Sequence, residues 1–184
     1  MKVDKIRFNQ NNWLALANDL HEFNVAKGWW DDYPNKKARY ETAMMLTLTE
    51  LAEATEGLRK DLMDDKLPQY KMFHVEVADA MIRLLDLFAA FETEFSICTG
   101  KIANYWEREL TARSPVEQLW FVVCNATKRS SKLLTMTVMF EGLLGMVYLH
   151  EIPIMEIIEA KMYFNAERAD HKRENRAKKG GKSF

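Results

Sequence analysis

Residues 46–60, LTLTELAEATEGLRK, and residues 74–87, HVEVADAMIRLLDL, each set two acids three positions apart inside an apolar helical pattern: Glu50 with Glu53, and Glu76 with Asp79. That spacing puts both acids of a doublet on one helical face, about a turn apart. Two such helices running antiparallel bring four carboxylates to one place inside a bundle. Like charges do not gather there unless a cation or protons neutralise them. The pattern is the outline of a site for a hard metal ion.

Outward from the doublets, the chain reads as all-helical. Only seven Gly and four Pro interrupt it, while apolar residues recur at steps of three and four. A first helix is expected over about 10–27, burying Trp13, Leu14, Ala17, Leu20 and Phe23 and ended by Gly28. A second spans about 37–63 with a seam of Met44, Leu48, Leu51, Thr55 and Leu58, flanked by Glu50 and Glu53. Pro68 suits the first turn of a third helix reaching about residue 94, with Val75, Ala78, Ile82, Leu85 and Ala89 as core. The short connection makes these two helices antiparallel neighbours.

Residues 95–113 either prolong the third helix or form a short one of their own. Ser114-Pro115-x-Glu117 is a capping box that predicts a helix from Pro115 to about Leu149, in which Gly142 and Gly145 bend the helix or admit a close neighbour. Pro153 opens a last helix through Ile154, Ile157, Ile158 and Met162 to about residue 168. The expectation is one domain over residues 1–184, an antiparallel bundle of about five helices with a mobile basic tail from about residue 169.

Composition agrees with a soluble globular chain: 184 residues, 48% hydrophobic and 29% charged. A net charge of −1 gives no general attraction to nucleic acid or to an acidic membrane. Locally the end is basic, since seven Lys/Arg from Arg168 to Lys182 face only Asp170 and Glu174. Cys98 and Cys124 read as buried thiols of a reducing compartment, and no Cys/His cluster has zinc spacing. The first twelve residues lack the apolar core of a signal peptide. The longest apolar stretch, residues 133–149, contains Glu141 and falls short of a spanning helix of about 20 residues. A cytoplasmic protein is expected.

Four acids without thiolate or imidazole favour magnesium, with manganese as the alternative. Magnesium shares its coordination with phosphate oxygens, so the natural substrate is a di- or triphosphate. A metal-bound water, or one oriented by a spare carboxylate, can then attack phosphorus in line, without a covalent intermediate. Lys161, Asn165 and Arg168 fall at steps of four and three on one face of the last helix. Lys and Arg neutralise phosphate there, and Asn hydrogen-bonds phosphate, sugar or base. Trp29 and Trp30 either stack on a base or pack the first helix onto the bundle. Glu56 and Asp86 read as solvated faces or outer acids, and His74 as a surface or packing residue. Met136, Met139, Met146 and Met155 read as core or subunit-interface packing.

The sequence resembles the all-alpha nucleoside triphosphate pyrophosphohydrolases, the MazG-like enzymes and their relatives among dimeric dUTPases and phosphoribosyl-ATP pyrophosphohydrolases. The matching stretches are Gly28-Trp29-Trp30-Asp31, the two acid-bearing segments, Lys161-x-x-x-Asn165-x-x-Arg168 and Lys179-Gly180-Gly181-Lys182. The resemblance implies that Glu50, Glu53, Glu76 and Asp79 bind magnesium and that the enzyme cuts a nucleoside triphosphate between its alpha and beta phosphates. It further implies that Lys161, Asn165 and Arg168 hold the nucleotide while the Gly-Gly tail with Lys182 closes over the phosphates. The charged segment 169–178 departs from the family pattern. A homo-oligomer, dimer or tetramer, is expected because the apolar helices exceed the core of a small monomer.

Two other readings compete with this one. A ferritin-like di-iron bundle needs Glu-x-x-His pairs, and none of the four histidines has a Glu three residues before it. A non-catalytic helical oligomer or adaptor would use the doublets as polar faces and the basic tail to bind an acidic partner or nucleic acid.

Overall fold

A computed structural model of the chain describes residues 10–31, 33, 36–91 and 101–167. Among them are seven helices and no named strand: α1 Gln10–Ala26, α2 Lys36–Lys60, α3 Met72–Ala90, α4 Lys101–Thr111, α5 Pro115–Thr127, α6 Lys132–Leu149 and α7 Ile154–Glu167. The all-helical expectation holds, but the count exceeds five for two reasons. Residues 101–111 form a helix of their own, and the single helix expected over 115–149 is two. The break carries neither Gly nor Pro. Instead Ser131 takes an extended conformation and its side chain accepts from Leu134 N at 3.2 Å, which starts α6 afresh. The capping box at α5 is present as expected, Ser114 and Glu117 bonding reciprocally.

α1 ends as its sequence requires. Gly28 adopts φ 78°, its N–H donates to Val25 O at 2.9 Å, and Trp29 N donates to Asn24 O at 3.0 Å. On this helix Trp13, Ala17 and Leu20 are buried, whereas Leu14 faces solvent, against expectation. α2 stops three residues earlier than predicted because Asp61 turns to φ 50° and Leu62 N closes back on Gly57 O at 3.0 Å. Pro68 lies in the connection, not in a first helical turn. That connection is tied down by Asp64, whose Oδ1 accepts from Lys66 N at 3.0 Å and Leu67 N at 2.7 Å.

α2 and α3 run antiparallel: Gly57 meets Met72 at one end, and Tyr40 meets Phe91 edge-on, with ring centroids 6.1 Å apart, at the other. The buried stripe of α2 is Tyr40, Ala43, Thr47, Glu50, Leu51, Ala54 and Gly57, rotated about one residue from the predicted seam, while Met44, Leu48 and Leu58 are only half-buried. Small residues line the contact because they let the two backbones approach. A Cβ on Gly57 would stand 3.0 Å from Met72 Cβ and from Phe73 N. The rotation carries Glu50 from the flank of the seam into it.

α3 touches α1, α2, α6 and α7. It is accordingly apolar around most of its circumference, with Val75, Val77, Ala78, Ala80, Met81, Leu84 and Leu85 fully enclosed. α4, α5 and α6 form an adjoining layer. The two α6 glycines admit close neighbours rather than a bend: a Cβ on Gly142 would lie 2.6 Å from Val122 Cγ2, and one on Gly145 would lie 3.0 Å from Trp106 Cβ. α6 is long and apolar enough to cross a membrane by length and composition. Met136, Met139 and Met146 on it are buried in the same apolar cluster as Trp13 of α1 and Ile158 of α7.

Candidate functional site

The antiparallel α2 and α3 bring three of the four acids together. Glu50, Glu76 and Asp79 each offer a carboxylate oxygen, all within 4.8 Å of one another. Glu50 and Glu76 are 8% and 6% exposed, and the Asp79 side chain 18%. Burial, then the Asp79 charge and then Glu50 push the Glu76 carboxyl far above its usual range. Asp79 is pushed up to about 6 by burial, against the opposing pull of Lys161. Three carboxylates so placed repel one another when charged, and a divalent cation relieves that repulsion.

Two cations already brace the cluster. Arg83 reaches across from α3, placing Nε 2.7 Å and Nη2 2.5 Å from Glu50 Oε1. Lys161 of α7, itself buried, sets its Nζ 2.5 Å from Asp79 Oδ2. The expected phosphate-binding lysine is therefore held on a metal-ligand candidate. Glu53 stands on the same face of α2 as Glu50 but is exposed to water and lies outside the group of three.

All four acids line one cavity of about 330 Å³, a size that suits a small ligand. α2 supplies Arg39, Ala43, Leu46, Thr49, Glu50 and Glu53, and all but Thr49 fall at alternating steps of four and three, so a single face of the helix runs the length of the pocket. α3 supplies Glu76, Asp79, Ile82, Arg83 and Asp86. Phe23 and Asn24 of α1, Trp29, Lys66, and Lys161 and Asn165 of α7 complete the wall.

The two tryptophans part company. Trp29 lines the cavity, whereas Trp30 packs against the core and donates from Nε1 to Asp86 Oδ1 at 3.2 Å. Asp86 is buried, not solvated as one sequence reading had it, because His21 Nδ1 also meets Oδ1 at 2.7 Å. Glu56 pairs with Arg59 and Lys60 at the surface. His74 packs edge-on to Phe73, with ring centroids 5.6 Å apart. Arg168 and Lys182 lie outside the described residues.

Sequence reasoning missed Arg39, Lys66, Arg83 and the His21–Trp30–Asp86 cluster. Arg83 carried a usable signal, four residues after Asp79 and hence on its face. So did Arg39, which precedes Glu50 by eleven residues, three helical turns.

The oxygen-only donor set fits magnesium or manganese, with Glu50, Glu76 and Asp79 as the residues that would hold it. Comparison with protein-family models, with curated proteins and with solved structures finds no match.

Proposed function

We propose that this protein is a magnesium-dependent pyrophosphohydrolase that cuts a nucleoside triphosphate between the alpha and beta phosphates, giving a monophosphate and pyrophosphate. The observation that carries this reading is the convergence of Glu50, Glu76 and Asp79 within 4.8 Å, in a cavity whose wall also holds Lys161. The resemblance of the two doublets to those of MazG-like enzymes supports the position of the cut.

The four acids, Lys161, Asn165 and Trp29 of the lining then have tasks. Glu50, Glu76 and Asp79 hold the ion, which when bound supplies positive charge to the phosphoryl oxygens. With a cation held by Asp79, Lys161 would be free to turn from that carboxylate to a phosphate. Glu53, solvated and one turn from Glu50, holds a water in line with phosphorus and accepts its proton. Asn165 meets the sugar or phosphate, and Trp29 offers a ring face to the base. Self-association belongs to the same reading, since Trp120, Tyr148 and Tyr163 leave large side chains exposed on α5, α6 and α7.

Pyrophosphate release from a panel of ribo- and deoxyribonucleoside triphosphates with magnesium tests the proposal. Glu53→Ala and Asp79→Ala are expected to lower turnover at least about 100-fold while helicity by circular dichroism is retained. Unchanged turnover in both variants rejects the site.

A further inference from the structure

Arg39 has no task in the chemistry above. It lines the cavity on the face of α2 that carries Glu50 and Glu53, and it is 4% exposed. Among the described residues, its Nε and Nη1 have no hydrogen-bond partner. The guanidinium touches two rings, its central carbon 5.3 Å from the Trp30 centroid and 4.8 Å from that of Tyr33. Asp86, the acid that lines this part of the wall, spends Oδ1 on His21 and Trp30. Burying donors without acceptors costs free energy, and a ligand that supplies the acceptors removes that cost.

Position along α2 says which part of a nucleotide would do so. Eleven residues separate Arg39 from Glu50, about 16 Å of helix at 1.5 Å per residue. An arginine side chain spans less than half of that, so a phosphate held at the acids is out of its reach. The base, at the other end of the nucleotide, is not.

Resting on the nucleotide-binding reading above, we infer that Arg39 is a specificity residue that reads the base. A guanidinium carries donors only, so it matches an edge with a ring carbonyl beside another acceptor, as in guanine or cytosine, and donates to the carbonyls of uracil. Adenine has no ring carbonyl, and beside its N7 acceptor it offers an amine donor. The substrate class is therefore nucleotides whose base bears a ring carbonyl. Contact with the Trp30 and Tyr33 rings holds the guanidinium in place before the ligand arrives.

Calorimetric binding of GMP, CMP, UMP and AMP to the full-length protein tests this, alongside triphosphate hydrolysis scored separately. The wild type is expected to bind at least one carbonyl-bearing monophosphate about tenfold more tightly than AMP, and Arg39→Met to bring that ratio close to one with AMP affinity unchanged. Arg39→Lys keeps charge and stem but loses the planar donors, and it should lower the ratio by about threefold even where the Met variant fails to fold. A ratio unchanged in either folded variant, a wild-type preference for AMP, or no monophosphate binding at all overturns the inference. Arg39-dependent binding without pyrophosphate release keeps Arg39's role and removes the proposed activity. Hydrolysis with a base preference indifferent to Arg39 does the reverse.

Discussion

Glu76 and Glu53 are chemically alike and sit in opposite surroundings, and single substitutions should separate them. Glu76 is buried beside Glu50 and Asp79, so its ionised form is costly in the metal-free protein. Glu76→Gln mimics the protonated acid. It is expected to raise metal-free stability at pH 8 by at least about 1 kcal/mol in urea unfolding, and to abolish stabilisation by magnesium. Glu53 faces water outside the cluster, so Glu53→Gln is expected to lower kcat about 100-fold with little change in magnesium affinity by titration calorimetry. Asp79→Asn should lose both. A fall in magnesium affinity in Glu53→Gln equal to that in Asp79→Asn would place Glu53 among the ligands. The doublets were legible in the sequence because a spacing of three survives any helical packing. Asp86 was not, because a lone charge on a helix does not announce whether its partner is water, a ring or a residue 65 positions away, as His21 is from Asp86.

The helices meet through small residues, and their contacts can be tested in pairs. Gly142 of α6 packs on Val122 of α5 so closely that a methyl group there would overlap the valine. Gly142→Ala is expected to cost about 1–3 kcal/mol by overpacking, and Val122→Ala to recover part of that cost in the double variant. A double-mutant cycle with no coupling would mean that the hairpin relaxes freely. The capping box at Ser114 and the end of α1 at Gly28 were readable, since each has a dedicated local chemistry. The start of α3 and the break before α6 were not. Pro68 tolerates a tight turn as well as a first helical turn, and Ser131 is an N-cap only once the chain has already left α5.

For the molecule as a whole, the crowded acids tie stability to pH and to divalent ions. The folded-state proton affinities of Asp79 and Glu76 are raised, so between the ordinary carboxylate range and their shifted values the folded protein binds more protons than the unfolded one. Their contribution is therefore fully present at low pH. It is lost as pH rises, through about 6 for Asp79 and higher still for Glu76. The melting temperature without metal is expected to fall between pH 5 and pH 8, and saturating magnesium to reduce that fall while releasing protons. A melting temperature that climbs over the same interval would contradict this electrostatic picture. The class of fold was legible because periodicity and scarce Gly and Pro act everywhere along the chain. The position of α3 was not, since burial on nearly every side reflects four neighbours rather than any local pattern. That enclosure has a consequence for motion. The amides of α3 should be the slowest of the described residues to exchange with deuterium, opening only with global unfolding. Glu76 and Asp79 thus ride on the stiffest strut among the described residues, and clamping of the pocket around a guest is expected from α1 and α7, which share its wall, swinging against it.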